Sequence, residues 1–288
     1  MQSKPTLAVI GGTGLHSMPG LENIQTLDVD TPFGKPSAPI TVGIISGIPV
    51  AFLSRHGIGH HLLPGEVPYR ANIYALKALG VERIVSVSAC GSLREDFAPG
   101  SIVIPNQIFD LTRGRKSSFF GEGLVAHISV ADPFCPDLSA QLFAAAKMRT
   151  PNVHKGGGYV TIEGPRFSTR AESNTYRSWG MSLIGMTASP EIFLAREAEI
   201  CYATMAHVTD YDVWHVSEEP VNVEMVMDIL NRNLSLAQDI ILTLASDLAE
   251  ARDCQCSSAL ENTLITNPQV IPAETRSRLD LLVGKYLP

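Results

Sequence analysis

The chain has 288 residues, 45% hydrophobic and 18% charged, and 22 Lys+Arg against 29 Asp+Glu give a formal charge of 22 − 29 = −7. This composition excludes a mostly disordered or fibrous protein, and the length suffices for a full core in one large domain or about two of ~150 residues. An acidic balance with no long basic run argues against general nucleic-acid binding, although a local Arg cluster could still hold a small anion.

Leu7-Ala8-Val9-Ile10 stops at Gly11-Gly12, which predicts a buried strand entering a tight turn. The stretch before it lacks a long apolar region followed by a small-residue cleavage site, so no signal peptide is expected and the cytoplasm is the expected compartment. Positions 36 to 54 carry no charge over 19 residues, yet Pro36, Pro39, Pro49, Gly43 and Gly47 would break a membrane helix. They predict two strands joined by a turn near Ser46-Gly47, the second running from Val50 to Ser54 into Arg55-His56-Gly57. Apolar residues at 69, 73, 76 and 79 predict a helix over Tyr69–Leu79, stopped by Gly80.

A strand over Ile84–Ala89 should end at Cys90-Gly91, with another over Ser101–Phe109. Leu138–Met148 is Ala/Leu-rich and predicts a helix. Strands over Tyr159–Ile162 and Leu183–Met186 flank a helix over Thr169–Trp179 that Gly180 breaks. A helix over Ser189–Glu199, opened by Pro190, precedes a strand over Ile200–Val208. Apolar residues at 223, 226, 227, 230, 234, 237, 241, 244 and 248 mark a long amphipathic helix whose stripe reads as core packing. Strands alternating with helices, without strict polar alternation, predict an α/β fold with a largely buried mixed or parallel sheet. No repeat or linker interrupts it, so one domain over 1–288 is expected.

Five cysteines without Cys-x-x-Cys spacing, and no His-Glu-x-x-His helix, lead to the expectation of no metal. Cys254-Gln255-Cys256 reads as two thiols near a helix end rather than as a local redox clip.

Candidate ligand groups gather at predicted strand ends, where open α/β sheets bind their ligands. Gly11-Gly12-Thr13-Gly14 offers backbone N–H groups and a hydroxyl to an anion, but it completes neither a dinucleotide fingerprint nor a Walker loop. Arg55 could fork two phosphate oxygens, and the neighbouring His56 could donate a third bond. Ser88-Ala89 adds a hydroxyl and an N–H, and Thr187 another hydroxyl. Asp210 and Asp212, two residues apart, could accept from an exocyclic amino group or, with a raised pKa, donate to a ring nitrogen. Taken singly, each of these could also be a turn, a solvated loop or core. No Gly-x-Ser-x-Gly elbow is present.

In order along the chain stand IGGTG, DTPFGKPS (30–37), SRHG, ACGSLRE (89–95), ADPFCP (131–136), TIEGPRFSTRAE (161–172), Met186-Thr187 and TDYDVW (209–214). Together they resemble the 5′-methylthioadenosine phosphorylases of the purine nucleoside phosphorylase family, over positions 7 to about 250. The resemblance implies a single α/β domain around a central mixed sheet flanked by helices, usually a homotrimer with sites at subunit interfaces. It implies phosphorolysis of methylthioadenosine to adenine and 5-methylthioribose 1-phosphate, in purine and methionine salvage. Phosphate is then a co-substrate, with no cofactor, metal, nucleic acid or membrane involved.

By the same resemblance, Thr13, Arg55, His56, Ser88, Ala89 and Thr187 would hold phosphate. A Thr often stands in the family where this chain has Ser88. Met186 would lie against the ribose, Phe167 and Ser168 would bound the base and sugar, and Asp210 and Asp212 would read the adenine edge. Val223 would face the 5′ substituent, and His127 would come from the neighbouring subunit. The competing readings are a 6-oxopurine (methylthioinosine or inosine) phosphorylase, a nucleoside hydrolase, a nucleoside-binding module without turnover, and a dinucleotide-dependent oxidoreductase.

Overall fold

The computed structural model describes residues 4–12, 14–215, 223–249 and 251–288. Among the described residues eleven strands form one sheet. Its main path runs β2 (Glu22–Leu27), β3 (Ile40–Ile45), β4 (Ile48–Ser54), β1 (Leu7–Gly11), β5 (Arg83–Ser92), β10 (Met181–Gly185), β9 (Gly158–Ile162), β7 (Gln107–Leu111). From β5 the sheet also branches through β11 (Cys201–Asp210) to β6 (Ile102–Ile104) and β8 (Val153–Lys155). β1, β4, β5 and β11 pair in parallel, whereas β10 is antiparallel to β5 and β3 to β4, so the sheet is mixed.

Helices cover both faces. Ala8 and Ile10 of β1 point to a core shared with α1 (Tyr69–Leu79), α4 (Ala188–Glu197) and α6 (Ala273–Val283). Leu7 and Val9 point the other way, toward α2 (Pro136–Arg149) and α5 (Val223–Ser246). Burial on both faces is why β1 reads as an unbroken apolar run rather than an alternation. The remaining helix, α3 (Arg170–Ser178), starts at a reciprocal Thr169/Glu172 cap.

The expected hairpin is present: β3 and β4 pair around Ser46 and Gly47, both at positive φ (49° and 83°), as a two-residue turn matching strand twist requires. The helix over Tyr69–Leu79 has the expected bounds and ends on left-handed Gly80. Two expectations need correction, and three elements were not anticipated. The Ser101–Phe109 strand is two strands, β6 and β7, because Pro105 interrupts the ladder. The strand at Ile84 runs on to Ser92, and β2, β8 and α6 carry no periodic signal strong enough to have been read. Among the described residues no helix is long and apolar enough to cross a membrane.

Candidate active site

A cavity of about 430 Å³ opens where the parallel strands end, lined by Arg55, His56, Ser88, Ala89, Phe167, Ser168, Met186, Thr187, Asp210, Asp212 and Val223. Residues from six separate stretches of sequence thus meet on one space. Strand geometry explains it. β1, β4, β5 and β11 exit at the same end, and the Arg55 N–H donates to Gly11 O (3.0 Å), tying the loops after β4 and β1 together. β10 runs the opposite way, but its register pairs Ile184 with Gly91. Continued, that register lays Met186 and Thr187 beside Ala89 and Ser88.

Arg55 is buried. Its Nε and Nη2 donate to the two carboxylate oxygens of Glu191 at 2.7 and 2.8 Å. Nη2 also donates to Ser86 Oγ (2.7 Å), and Nη1 to Val87 O (3.1 Å). Burial alone would lower the Arg55 pKa, but Glu191 outweighs it and holds the guanidinium above its ordinary range. Of the two Nη1 hydrogens, one therefore stays available to an anion, with the fork held rigid by Glu191 and Ser86. Glu191 itself is fully buried and also accepts from Tyr202 Oη at 2.8 Å.

His56 Nδ1 lies 2.9 Å from Leu62 O, and the ring stacks on His60 at 4.2 Å. Burial lowers its pKa to about 4, against a raising contribution from the Leu62 carbonyl. The ring is neutral at pH 7, with Nδ1–H donating to Leu62 and Nε2 left as an acceptor. The side chain consequently does not offer the N–H expected from the sequence until it takes up a proton. The hydroxyls of Ser88 and Thr187 are buried, and Thr187 makes no side-chain capping bond at the start of α4.

The carboxylates lie further along β5. β11 pairs Val208 with Cys90 and then Asp210 with Gly91, so Thr209 is an extra residue in a bulge. Such bulges re-aim the side chains beside them. Asp210 Oδ2 accepts from Thr209 Oγ1 (2.6 Å) and Oδ1 from the Asp212 N–H (2.7 Å). Burial raises the Asp210 pKa against those two bonds. Burial also raises that of Asp212, with Ser173 opposing it, Asp210 reinforcing it and Ser168 opposing it. Yet among the described residues no bond closes on Asp212 Oδ2, and the Ser168 and Ser173 hydroxyls are also without partners. Asp212 sits at φ 52°, a strained conformation for a non-glycine residue of the kind that collects at functional sites. Arg55 bonds Val87 and Asp210 flanks Gly91, four residues along, or about 13 Å of strand.

Val223 is 67% exposed at the start of α5, so it lines the mouth of the cavity and is not part of the core stripe. Phe167 and Met186 are half-buried on the cavity wall. His127 is exposed and does not line this cavity. Thr13 lies outside the described residues.

Sequence reasoning missed two groups. Arg115 donates from Nη1 to Met186 O (2.8 Å) and Ser189 O (2.9 Å) and from Nη2 to Glu163 O (2.7 Å), which fixes the main chain of the wall that carries Met186. In sequence it belongs to a short basic loop, indistinguishable from a solvated one. Glu191 had a weak signal, an acid directly before the apolar run Ile192–Ala195 of α4.

A mixed α/β sheet with one cavity that joins an anion-suited end to two buried carboxyls defines a small-molecule enzyme. The chain belongs to the phosphorylase superfamily, whose family model matches residues 6–246. It is 53% identical over 282 residues to the S-methyl-5′-thioadenosine phosphorylase of Geobacter sulfurreducens, covering 98% of this chain and 99% of that one. It is 51% identical to the enzyme of the same name from Chloroflexus aurantiacus, covering 98% of each. Among solved structures it is similar to a methylthioadenosine phosphorylase from an antarctic soil metagenomic library, with TM-score 0.93, 47% identity and coverage of 98% and 99%. It is also similar to the Schistosoma mansoni methylthioadenosine phosphorylase in complex with adenine, with TM-score 0.83, 34% identity and 98% coverage of both chains.

Proposed function

We propose that this enzyme, a pentosyltransferase, catalyses phosphorolysis of 5′-methylthioadenosine to adenine and 5-methylthioribose 1-phosphate, with the whole chain acting as one domain. The observation that carries it is the single cavity joining the clamped Arg55 guanidinium to two buried, protonation-prone carboxyls. The similarity to methylthioadenosine phosphorylases of about 50% identity supports the same reading.

Phosphate bound by Arg55, Ser88, Ala89 N–H and Thr187, with Thr13 from the glycine turn, sits beneath the ribose. Its charge stabilises the oxocarbenium-like state as the C–N bond breaks, and it is the nucleophile at the anomeric carbon. A dianion beside His56 would favour the imidazolium and convert its Nε2 into a donor. Asp210, whose carboxyl burial holds above its ordinary range, is the acid that donates to N7 of the leaving purine. Asp212, with an unpaired oxygen, accepts from the 6-amino group. A 6-oxopurine would set a lone pair against that oxygen, and an unmet buried polar group discriminates by roughly 10⁴-fold or more. Met186 and Phe167 pack on ribose and base, with Ser168 beside Asp212, and Val223 offers the 5′ substituent apolar surface and no hydrogen bond. The reaction calls for no cofactor or metal in the cavity.

We further infer a cytoplasmic homotrimer in purine and methionine salvage, with no nucleic-acid or membrane partner, in which His127 completes the site of a neighbouring copy. Exposed Val125 and Val130 around His127 support a face that another subunit covers.

Base release from methylthioadenosine, with and without phosphate and beside methylthioinosine and inosine, tests the reading. Adenine released only with phosphate, and little from the oxopurines, is the expected result. Release without phosphate would mean a hydrolase, and preference for the oxopurines would overturn the roles of both aspartates.

A further inference from the structure

Cys135 caps the N-terminus of α2, Cys201 opens β11, and beyond α5 Cys254 caps a short 3-10 turn, Gln255–Ser258, that contains Cys256. These positions are far apart in sequence, yet the four sulfurs all lie within 4.8 Å of one another, with Cys201 Sγ and Cys254 Sγ 3.3 Å apart. All four are free thiols, three of them buried. They stand at the opposite end of β11 from Asp210, about 30 Å of strand away, so the catalytic cavity does not account for them.

We propose that Cys135, Cys201, Cys254 and Cys256 form a structural site for one zinc ion per chain. Four thiolates at about 2.3 Å from a tetrahedral zinc are about 3.8 Å apart, within the span the sulfurs already occupy. The ligand set is all sulfur, which selects a soft or borderline tetrahedral ion over magnesium or calcium. The surroundings suit the net negative charge of a tetrathiolate centre. Arg196 Nη1 donates to Cys256 Sγ at 3.4 Å, while its buried Nε has no partner among the described residues. Among the described residues Arg196 forms no ion pair with a carboxylate, so the thiol cluster is where its charge is directed. The Leu138 N–H, in the first turn of α2, donates to Cys135 Sγ at 3.4 Å. Such outer contacts orient ligands and stabilise their thiolate form. A cavity of about 290 Å³ beside Cys135, Cys201 and Cys254 offers a route for the ion.

Binding is an acid–base exchange without redox change: each thiol that ligates releases a proton to solvent, and the ion stays divalent. The site would staple the chain after α5 to the sheet. That chain then meets the 125–127 segment, where His127 N donates to Thr263 O (3.0 Å) and Ile265 N to Val125 O (2.9 Å). The cysteine spacing alone conceals the site, because two of its ligands come from elements that meet only in the fold.

The test is the metal content of untagged protein, kept reduced with a phosphine and dialysed with zinc sulfate, read by plasma mass spectrometry. One zinc per chain is expected, falling to a trace in the Cys254→Ser/Cys256→Ser double variant. Cobalt(II) added to chelator-stripped wild type should give a thiolate charge-transfer band and strong tetrahedral visible absorption, and this decides the matter if the variant does not fold. Substoichiometric zinc together with a cobalt spectrum lacking both features would overturn the proposal. An intact mass showing these thiols paired as disulfides, in protein that takes up no metal once reduced, would do the same. Neither readout depends on turnover.

Discussion

Burial pushes the carboxyl of Asp210 up, while Thr209 and the Asp212 amide each occupy one of its oxygens. An acid held this way keeps its proton to higher pH than an exposed aspartate and still has a fixed direction. Asp210→Asn should lower kcat by about 10²–10⁴-fold, the usual share of a general acid, while thermal denaturation stays close to wild type. Wild-type turnover in that variant would remove the acid assignment. Val223 is exposed at the cavity mouth, where the proposed reading sets it against the 5′ substituent. Val223→His should move the ratio of kcat/KM from methylthioadenosine toward adenosine; an unmoved ratio excludes it from specificity.

His207 is 1% exposed, and neither ring nitrogen has a hydrogen-bond partner among the described residues. Burial lowers its pKa from 6.5 to about 4. Because the unfolded chain binds this proton more readily, the contribution is fully present above about pH 6.5 and is lost as pH falls toward 4. At 1.36 kcal/mol per unit the loss is at most about 3 kcal/mol. His207→Leu should therefore flatten the fall in unfolding free energy between pH 6.5 and 4 in urea titrations. An unchanged slope would place the acid sensitivity elsewhere.

At the scale of elements, β5 is the axis of the site. It pairs with β1, β11 and β10 in turn, and Gly91 is where the last two close on it. A Cβ there would come within 2.9 Å of Asp210 Oδ1, 3.0 Å of Ile184 Cγ2 and 3.3 Å of Asp212 Cβ. Gly91→Ala should displace both carboxyls and lower kcat/KM at least tenfold, with far-UV circular dichroism unchanged. Near-wild-type kinetics would show that the strands can part without moving the aspartates.

The elements themselves were largely legible, for a local reason. A helix such as α1 repeats its apolar residues with its own turn, and β1 is apolar throughout because both faces are covered. The bulge at Thr209 was not legible, since it depends on how β11 registers against β5. Nor was α6: its core residues Leu279, Leu282 and Val283 are interrupted by charged neighbours.

For the whole molecule, the open question of assembly has a direct test. If His127 serves a neighbour's cavity, His127→Ala and Asp210→Asn are defects in different halves of one composite site. Chains carrying each change, unfolded together and reassembled, should recover activity that neither variant has alone. No recovery in confirmed mixed oligomers would return His127 to a purely local role.

The sequence by itself determined the α/β class, the order of most strands and helices, and the set of groups at strand ends that the cavity now gathers. These follow from periodicity, turn residues and motif order, all of which act within a few residues. Tertiary structure decided what those groups can do. It clamped Arg55 on Glu191 across 136 positions and turned the His56 ring toward Leu62. It bulged β11 so that two carboxyls share one buried corner, and drew four distant cysteines within 4.8 Å. Charge state, donor direction and ligand geometry depend on burial and on partners distant in sequence, and only the packed chain supplies both.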